Sequence, residues 1–188
     1  MQLNMQAQVK SGLENYHSIS AGSSLTWMPV LHYVNKHRWY TEARYNYEDI
    51  NTGSVYVGKN ISGGKKMTYT LTPMAGIIFG QYKGFAAAMN FELSCSKLFF
   101  SGQFQYSINK TNSANNYFYN WSELSWQFYE RLYGGLSIQQ TAMYRGKLKT
   151  SAGLLIGFEA KQFTIPVYLF DPLSDNRNLV VGLNVEWN

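Results

Sequence analysis

The chain has one cysteine, four prolines and three histidines in 188 residues, and charged side chains make up only 14% of it. Each scarcity excludes something. A single thiol, Cys95, rules out an internal disulfide and with it a small disulfide-stapled secreted domain. With no electropositive surroundings evident, Cys95 reads as a small residue in a turn. Three separated histidines and one cysteine form no metal-ligand cluster, and no cofactor motif is present. No run approaches the roughly eighteen apolar residues of a membrane-spanning helix, and mean hydropathy is -0.28. The opening MQLNMQAQVK lacks an apolar core before a small-residue cleavage site, so a signal peptide is not expected there. Helical bundles need Ala, Leu, Glu and Lys in quantity, whereas this chain has 15 Tyr, 16 Gly and 11 Phe. The class is all-β, and the length suits one domain over residues 1–188.

The net charge of +5 raises nucleic acid as a partner, but the 16 Lys and Arg are scattered singly. Their one adjacent pair is Lys65–Lys66. With no basic helix or arm, no nucleic-acid footprint exists. Many basic residues fall between strand-like segments, where they could meet lipid phosphates.

What the chain does have is period-two alternation. In the hairpin Met67–Ser94, the residues Met67, Tyr69, Leu71, Pro73, Ala75, Ile77 and Phe79 share one face, and Phe85, Ala87, Met89, Phe91 and Leu93 continue it after a Gly-bounded turn. Both arms reach about ten residues, the length a tilted strand needs to cross a bilayer. Similar segments are expected at Leu3–Val9, Ser24–Val34, Arg38–Glu48, Ser54–Ile61, Leu98–Ile108, Tyr117–Phe128, Leu136–Tyr144, Leu148–Glu159, Phe163–Leu169 and Leu179–Trp187. Residues 11–23 read as a polar loop. Pro29 and Pro73 should each disturb a ladder, Pro73 by a bulge. In Tyr117–Phe128 the alternation is weakest, because Asn120 and Ser122 share the apolar face.

About twelve segments, within a range of roughly ten to fourteen, alternate tight connections with longer ones, as in a closed antiparallel up-and-down transmembrane β-barrel. An apolar inside would suit a soluble ligand-binding barrel, but such barrels close with about eight strands. The apolar face also ends in aromatics suited to two membrane interfaces: Trp39, Phe79, Phe85, Tyr106, Trp126, Phe128, Tyr144 and Trp187. The opposite face, rich in Gly, Ser, Thr, Gln and Asn, suits a hydrated lumen. The closing residues Val185–Glu186–Trp187–Asn188 resemble the C-terminal strand of bacterial outer-membrane β-barrel proteins, which carries an aromatic near its end. That resemblance implies an outer-membrane location with both termini periplasmic, and outer-membrane lipids as surroundings.

On the polar face fall Arg38, Glu42, Arg44, Glu92, Gln103, Gln105, Glu123, Gln139, Lys149 and Glu159, the candidates for a charged constriction. Tyr40, Tyr56, Tyr119 and Glu186 accompany them. Two readings stay open: a porin-like channel for small polar solutes or ions, or a lumen plugged by its own network. Small porins for acidic oligosaccharides are similar in size but would call for Arg and Lys along the lumen. The acidic excess here points to cations or neutral solutes. A scaffold could dock another envelope protein on its outer loops, Tyr16–Ser23 and Lys110–Asn116. A lipid-active enzyme would need a rim nucleophile and base, and only His17, near Ser18 and Ser20, is placed for it. The stretch Gly58–Lys66 breaks phosphate-loop spacing and precedes a strand.

Overall fold

The computed structural model describes residues 9–20 and 25–187. It contains thirteen strands: β1 (Lys10–Ser20), β2 (Thr26–Val34), β3 (Trp39–Tyr45), β4 (Thr52–Lys59), β5 (Ile61–Gly64), β6 (Met67–Gly80), β7 (Gly84–Cys95), β8 (Leu98–Asn109), β9 (Tyr117–Tyr129), β10 (Leu132–Met143), β11 (Leu148–Ala160), β12 (Phe163–Phe170) and β13 (Asn178–Trp187). Except for β4 and β5, strands adjacent in sequence pair antiparallel, and β1 pairs with β13. Both β4 and β5 pair with β6, so together they form one stave broken at Asn60. The result is a closed barrel of twelve staves with no free sheet edge.

Connections differ by end. The end holding the start of β1 and the end of β13 has turns of two residues at 65–66, 96–97, 130–131 and 161–162, plus 35–38. Ser96 and Lys161 take positive φ (56° and 53°) inside two of these tight turns. The opposite end carries the longer loops, up to seven residues at 110–116 and 171–177.

Alternation sorts the side chains as their sequence pattern requires. Every strand turns large apolar groups outward, for example Leu31, Val57, Ile77, Leu124, Leu154, Ile165 and Leu183, all exposed. An apolar wall around the whole circumference far exceeds what a soluble monomer shows and suits lipid. The eight aromatics expected at the interfaces are exposed on this wall. Trp39, Trp126, Phe128 and Trp187 lie toward the short-turn end, and Phe79, Phe85, Tyr106 and Tyr144 toward the loop end.

Three sequence expectations are corrected. First, Lys10–Ser20, read as part of a polar loop, is a full strand pairing with Trp187–Asn178 and Val34–Thr26. Its outward face holds Ser11, Asn15 and His17 beside Leu13 and Ile19, so hydrophobic period is weak and the ladders define the strand. Most of the predicted first segment, Leu3–Val9, falls outside the described residues. Second, Gly134, expected in the connection 129–134, lies inside β10; a Cβ there would sit 3.2 Å from the Phe128 ring. Third, Pro73 causes no bulge, since β6 and β7 keep one register from Met67 to Ile78. The missing donor is absorbed on the other side, where pairing to β6 stops after Gly58 and resumes at Ile61. Thr72 Oγ1 donates to Asn60 Oδ1 at 2.8 Å across that gap. Pro29 behaves alike, because the β2–β3 ladder begins only at Val30. A register shift occurs instead between Leu132 and Tyr133 opposite β9, where Phe128 is the extra residue.

One polar strip crosses the lipid-facing wall. Ser122 Oγ donates to Asn120 Oδ1 (2.7 Å), Asn120 Nδ2 to Gln140 Oε1 (3.1 Å), and Gln140 Nε2 to Thr150 Oγ1 (3.4 Å). Polar groups on such a wall must satisfy one another. Asn120→Leu should therefore destabilise the barrel by about 1–2 kcal/mol by stranding Ser122 and Gln140. Denaturant unfolding in detergent micelles measures this, and Thr150→Ala, which removes only the longest bond, should lie within experimental error.

Candidate functional site

The lumen is organised around Arg44. All sixteen Lys and Arg are among the described residues, and Arg44 is the one classed as buried. β3 turns Tyr40, Glu42 and Arg44 inward at successive alternate positions. The side chains of Arg44 and Glu42 are 1% and 3% exposed, and Arg44 Nε donates to Glu42 Oε1. Tyr40 OH donates to the other Glu42 oxygen. Arg44 Nη1 donates to Gln105 Oε1 at 2.8 Å, with Gln103 Oε1 at 3.4 Å and Glu48 Oε1 at 3.5 Å. Its guanidinium carbon lies 4.3 Å from the Tyr56 ring centre and 4.7 Å from that of Tyr47. Tyr56 is fully buried, its ring lying over Gly76, where a Cβ would meet Tyr56 Cδ1 at 2.5 Å. A side chain at that position would drive the ring off the guanidinium.

Beside this polar centre pack two apolar clusters. One joins Val34, Tyr40, Tyr56, Met74, Ile78, Tyr82 and Tyr117, and the other joins Trp121, Leu155, Tyr168, Phe170 and Val180. Tyr119 packs against both. Trp121 meets Tyr168 edge-on at 5.1 Å and donates its indole N–H to Ser137 Oγ at 2.9 Å. Together these side chains form a septum across the barrel.

A vestibule opens on either side of it. The loop-side cavity, about 570 Å³, is lined by Tyr47, Glu48, Asp49, Tyr82, Gln105, Tyr117 and Tyr119 among others. The turn-side cavity, about 590 Å³, is lined by Glu14, Glu92, Glu123, Glu159 and Glu186, with His32, Lys97 and Lys161. No residue lines both, and Arg44, Glu42, Tyr56 and Trp121 line neither. Burial pushes the Tyr47 phenol well above its usual range, and burial with Tyr106 nearby pushes Tyr82 up to about 12. Both stay neutral, leaving Glu48 and Asp49 as the charged groups of the loop-side wall.

The sequence candidates divide accordingly. Glu42, Arg44 and Gln105 form the septum centre with Gln103 beside them, while Glu92, Glu123 and Glu159 lie together in the turn-side vestibule. Gln139 stands on the luminal face of β10 opposite Trp121, and Lys149 sits exposed near the loop end of β11. Arg38 is not in the wall: it occupies the 35–38 turn at φ 64°, its N–H donating to Asn35 O. Glu48, on the polar face of the expected Arg38–Glu48 segment but not among the candidates, follows β3 and folds back beneath Ser54 and Tyr56. Glu14 and Tyr16, in the expected loop 11–23, are not among the candidates either. His17 is likewise in β1, opposite Val181 and Trp27 on the outer face, whereas Ser18 and Ser20 point inward to Asn178 Oδ1 (2.9 and 3.0 Å). The strand pleat therefore keeps His17 and these serines on opposite faces, and the geometry for a base and nucleophile is not met.

No protein-family model matches the chain, and no curated protein matches it. Solved structures do. A KdgM porin aligns over 94% of this chain and 99% of its own, with a TM-score of 0.66 and 7% identity. A NanC porin gives the same coverage and a TM-score of 0.66 at 11% identity. A KdgM porin in complex with disordered oligogalacturonate gives a TM-score of 0.65 at 8% identity, covering 94% and 98% of the two chains. The fold is that of the small outer-membrane porins. At these identities the likeness is one of barrel architecture, with closure, strand number and chain length in common.

Removing the guanidinium would strand Glu42 and Glu48 in the septum. Arg44→Met should cost about 3–5 kcal/mol of stability in micelles. Adding Glu42→Gln to that variant should restore part of the loss, a recovery that a double-mutant cycle reads directly.

Proposed function

We propose that the protein is a porin-like channel of the bacterial outer membrane that carries small polar solutes or ions, with a preference for cations. The observation that carries this reading is the pair of polar vestibules facing each other across one septum, both with acidic walls. Five carboxylates face two lysines and one histidine on the turn side; on the loop side Glu48 and Asp49 line a wall with no lysine or arginine in it, Arg44 reaching Glu48 from the septum at 3.5 Å. Low-dielectric walls focus such a field and raise the local concentration of cations. The likeness to small porins supports the barrel as a conduit. The oligogalacturonate in one neighbour's complex is a polyanion, and an acidic lumen would repel it. In this reading the short-turn end with both chain termini faces the periplasm, following the loop asymmetry of such barrels.

A second reading has its own support. Tyr56 and Phe170 are 0% and 1% exposed within the septum, the packing of a plug. A plugged barrel would act as a scaffold for another envelope component, presenting the 110–116 and 171–177 loops.

Planar-bilayer recording separates the two. The channel reading expects small stepwise conductance with a reversal potential favouring cations in a salt gradient. Glu92→Gln with Glu123→Gln should reduce that preference several-fold while leaving the folded fraction unchanged. Insertion of folded protein with no current establishes the plug.

A further inference from the structure

We propose that the loop-side vestibule is a binding subsite for small primary ammonium compounds, held by the free carboxylate oxygen of Glu48 within a wall of tyrosines. As a step of transport the site rests on the channel reading; as a binding site it stands whether or not solutes cross the septum.

Glu48 follows β3 in the 46–51 turn, yet its side chain is only 1% exposed and lines the cavity. Its Oε1 is crowded with donors: Ser54 Oγ at 2.8 Å, Tyr56 OH at 2.9 Å and Arg44 Nη1 at 3.5 Å. Its Oε2 is buried and has no hydrogen-bond partner. A carboxylate oxygen taken out of water without a donor is costly, and more so for a charged group than a neutral one. Arg44 Nη2, the other unpartnered atom of this ion pair, is buried as well and does not reach Oε2; Glu48 lines the vestibule, and a donor from outside the protein approaches it from there.

The surroundings select the charge of that donor. Tyr47, Tyr82, Tyr117 and Tyr119 line the cavity, and their faces attract cations. Tyr82 and Tyr117 meet edge-on at 5.5 Å, and Tyr47 and Tyr119 at 6.0 Å, so ring faces and edges both border the space. Asp49 adds a second carboxylate, and no Lys or Arg lines the wall. Arg44, beneath, is shared with Glu42 through Nε and engaged with Gln105 through Nη1, while its Nη2 is buried and turned to no acceptor. Glu42, Glu48 and Asp49 therefore face one guanidinium. An anion is repelled here, and a neutral alcohol could donate to Oε2 but gains nothing from the field. A primary ammonium donates and carries the complementary charge, the stronger class of hydrogen bond. Its alkyl part has the tyrosine rings to lie against, and a cavity of about 570 Å³ accommodates it with part of its hydration.

The test is isothermal titration calorimetry of the folded full chain in detergent micelles with three probes of one carbon skeleton: butylammonium, 1-butanol and butyrate. Butylammonium should bind saturably and at least tenfold tighter than 1-butanol, with no heat from butyrate. Glu48→Gln, whose amide oxygen can still accept from Ser54 and Tyr56, should weaken butylammonium at least tenfold. Asp49→Asn, on the exposed turn, should weaken it a few-fold. Equal binding of 1-butanol or butyrate overturns the proposal, as does unchanged affinity in Glu48→Gln. If Glu48→Gln fails to fold, unchanged affinity in Asp49→Asn overturns it. Saturable butylammonium binding with silent bilayers removes the channel and keeps the site. Conducting bilayers without butylammonium binding remove the site and keep the channel.

Discussion

Inside a bilayer no water is available to a peptide group, and every backbone N–H and C=O must find a partner in the chain itself. That requirement governs the architecture. It makes β1 pair with β13, so that the sheet has no edge, and it makes β1 a strand although its outward side chains are a poor apolar row. It also explains how the strand prolines are handled. Each lacks a donor, and each sits where one flanking ladder is interrupted while the other runs on. Pro29 keeps its pairing with Asn15 and stands just outside the β2–β3 ladder; Pro73 keeps Met89 and faces the Asn60 break; Pro166 keeps Gly157 while pairing to β13 lapses between Thr164 and Val167. Twelve staves tolerate three such one-sided gaps because the barrel is closed elsewhere.

Closure fixes the outside and leaves the inside to be solved separately. Twelve staves enclose more space than an eight-stranded barrel fills with side chains and less than the open lumen of a sixteen-stranded porin. Here the middle is occupied by one guanidinium and a set of aromatic rings. Arg44 suits that place because a planar fork can meet a carboxylate and an amide in its plane while tyrosines stack on its faces. Its contacts with Glu42, Gln105, Tyr47 and Tyr56 span both walls of the lumen, from β3 and β4 to β8. One side chain thereby fixes the septum's position along the axis, and the vestibules are what remain above and below it.

The sequence revealed the wall far better than the lumen, for a physical reason. Lipid imposes the same demand on every outward residue, so alternation accumulates over ten positions and identifies strands such as Met67–Gly80 and Leu148–Ala160 without ambiguity. Where outward residues are polar, as with Ser11, Asn15 and His17, the signal vanishes and only the ladder reveals the strand. The lumen makes no uniform demand. Glu42, Arg44 and Gln105 could be named as inward-facing, because parity alone decides that. Their association across β3 and β8 depends on which strands face one another over the axis, which parity does not encode. Parity within the expected segment Arg38–Glu48 puts Glu48 on the luminal side, but by a different route from the one the chain takes. Glu48 lies beyond the end of β3, where strand parity no longer applies, and reaches the lumen by a turn that folds back over Ser54 and Tyr56.

The distribution of charge follows from the same division. A chain of net charge +5 has acidic vestibules because its basic residues, Arg44 apart, lie exposed or partly exposed, mostly in turns and at strand ends. Lys65, Lys66, Lys97, Arg131 and Lys161 fall at the short-turn rim, and Lys83, Lys110, Arg145 and Lys147 at the loop rim. Those are the depths at which lipid headgroups present phosphate, so positive charge there favours insertion. Lys59 near the short-turn end places its ammonium over the Trp39 ring, 4.8 Å from the centre, and donates to His37 O at 2.8 Å. Eight of the eleven carboxylates line a vestibule or sit in the septum, whereas Glu130, Asp171 and Asp175 lie in turns and loops at the rims. Net charge is thus a poor guide to what such a lumen attracts. In a barrel the sign that matters is that of the inward-facing positions, and here they are acidic on both sides of the septum.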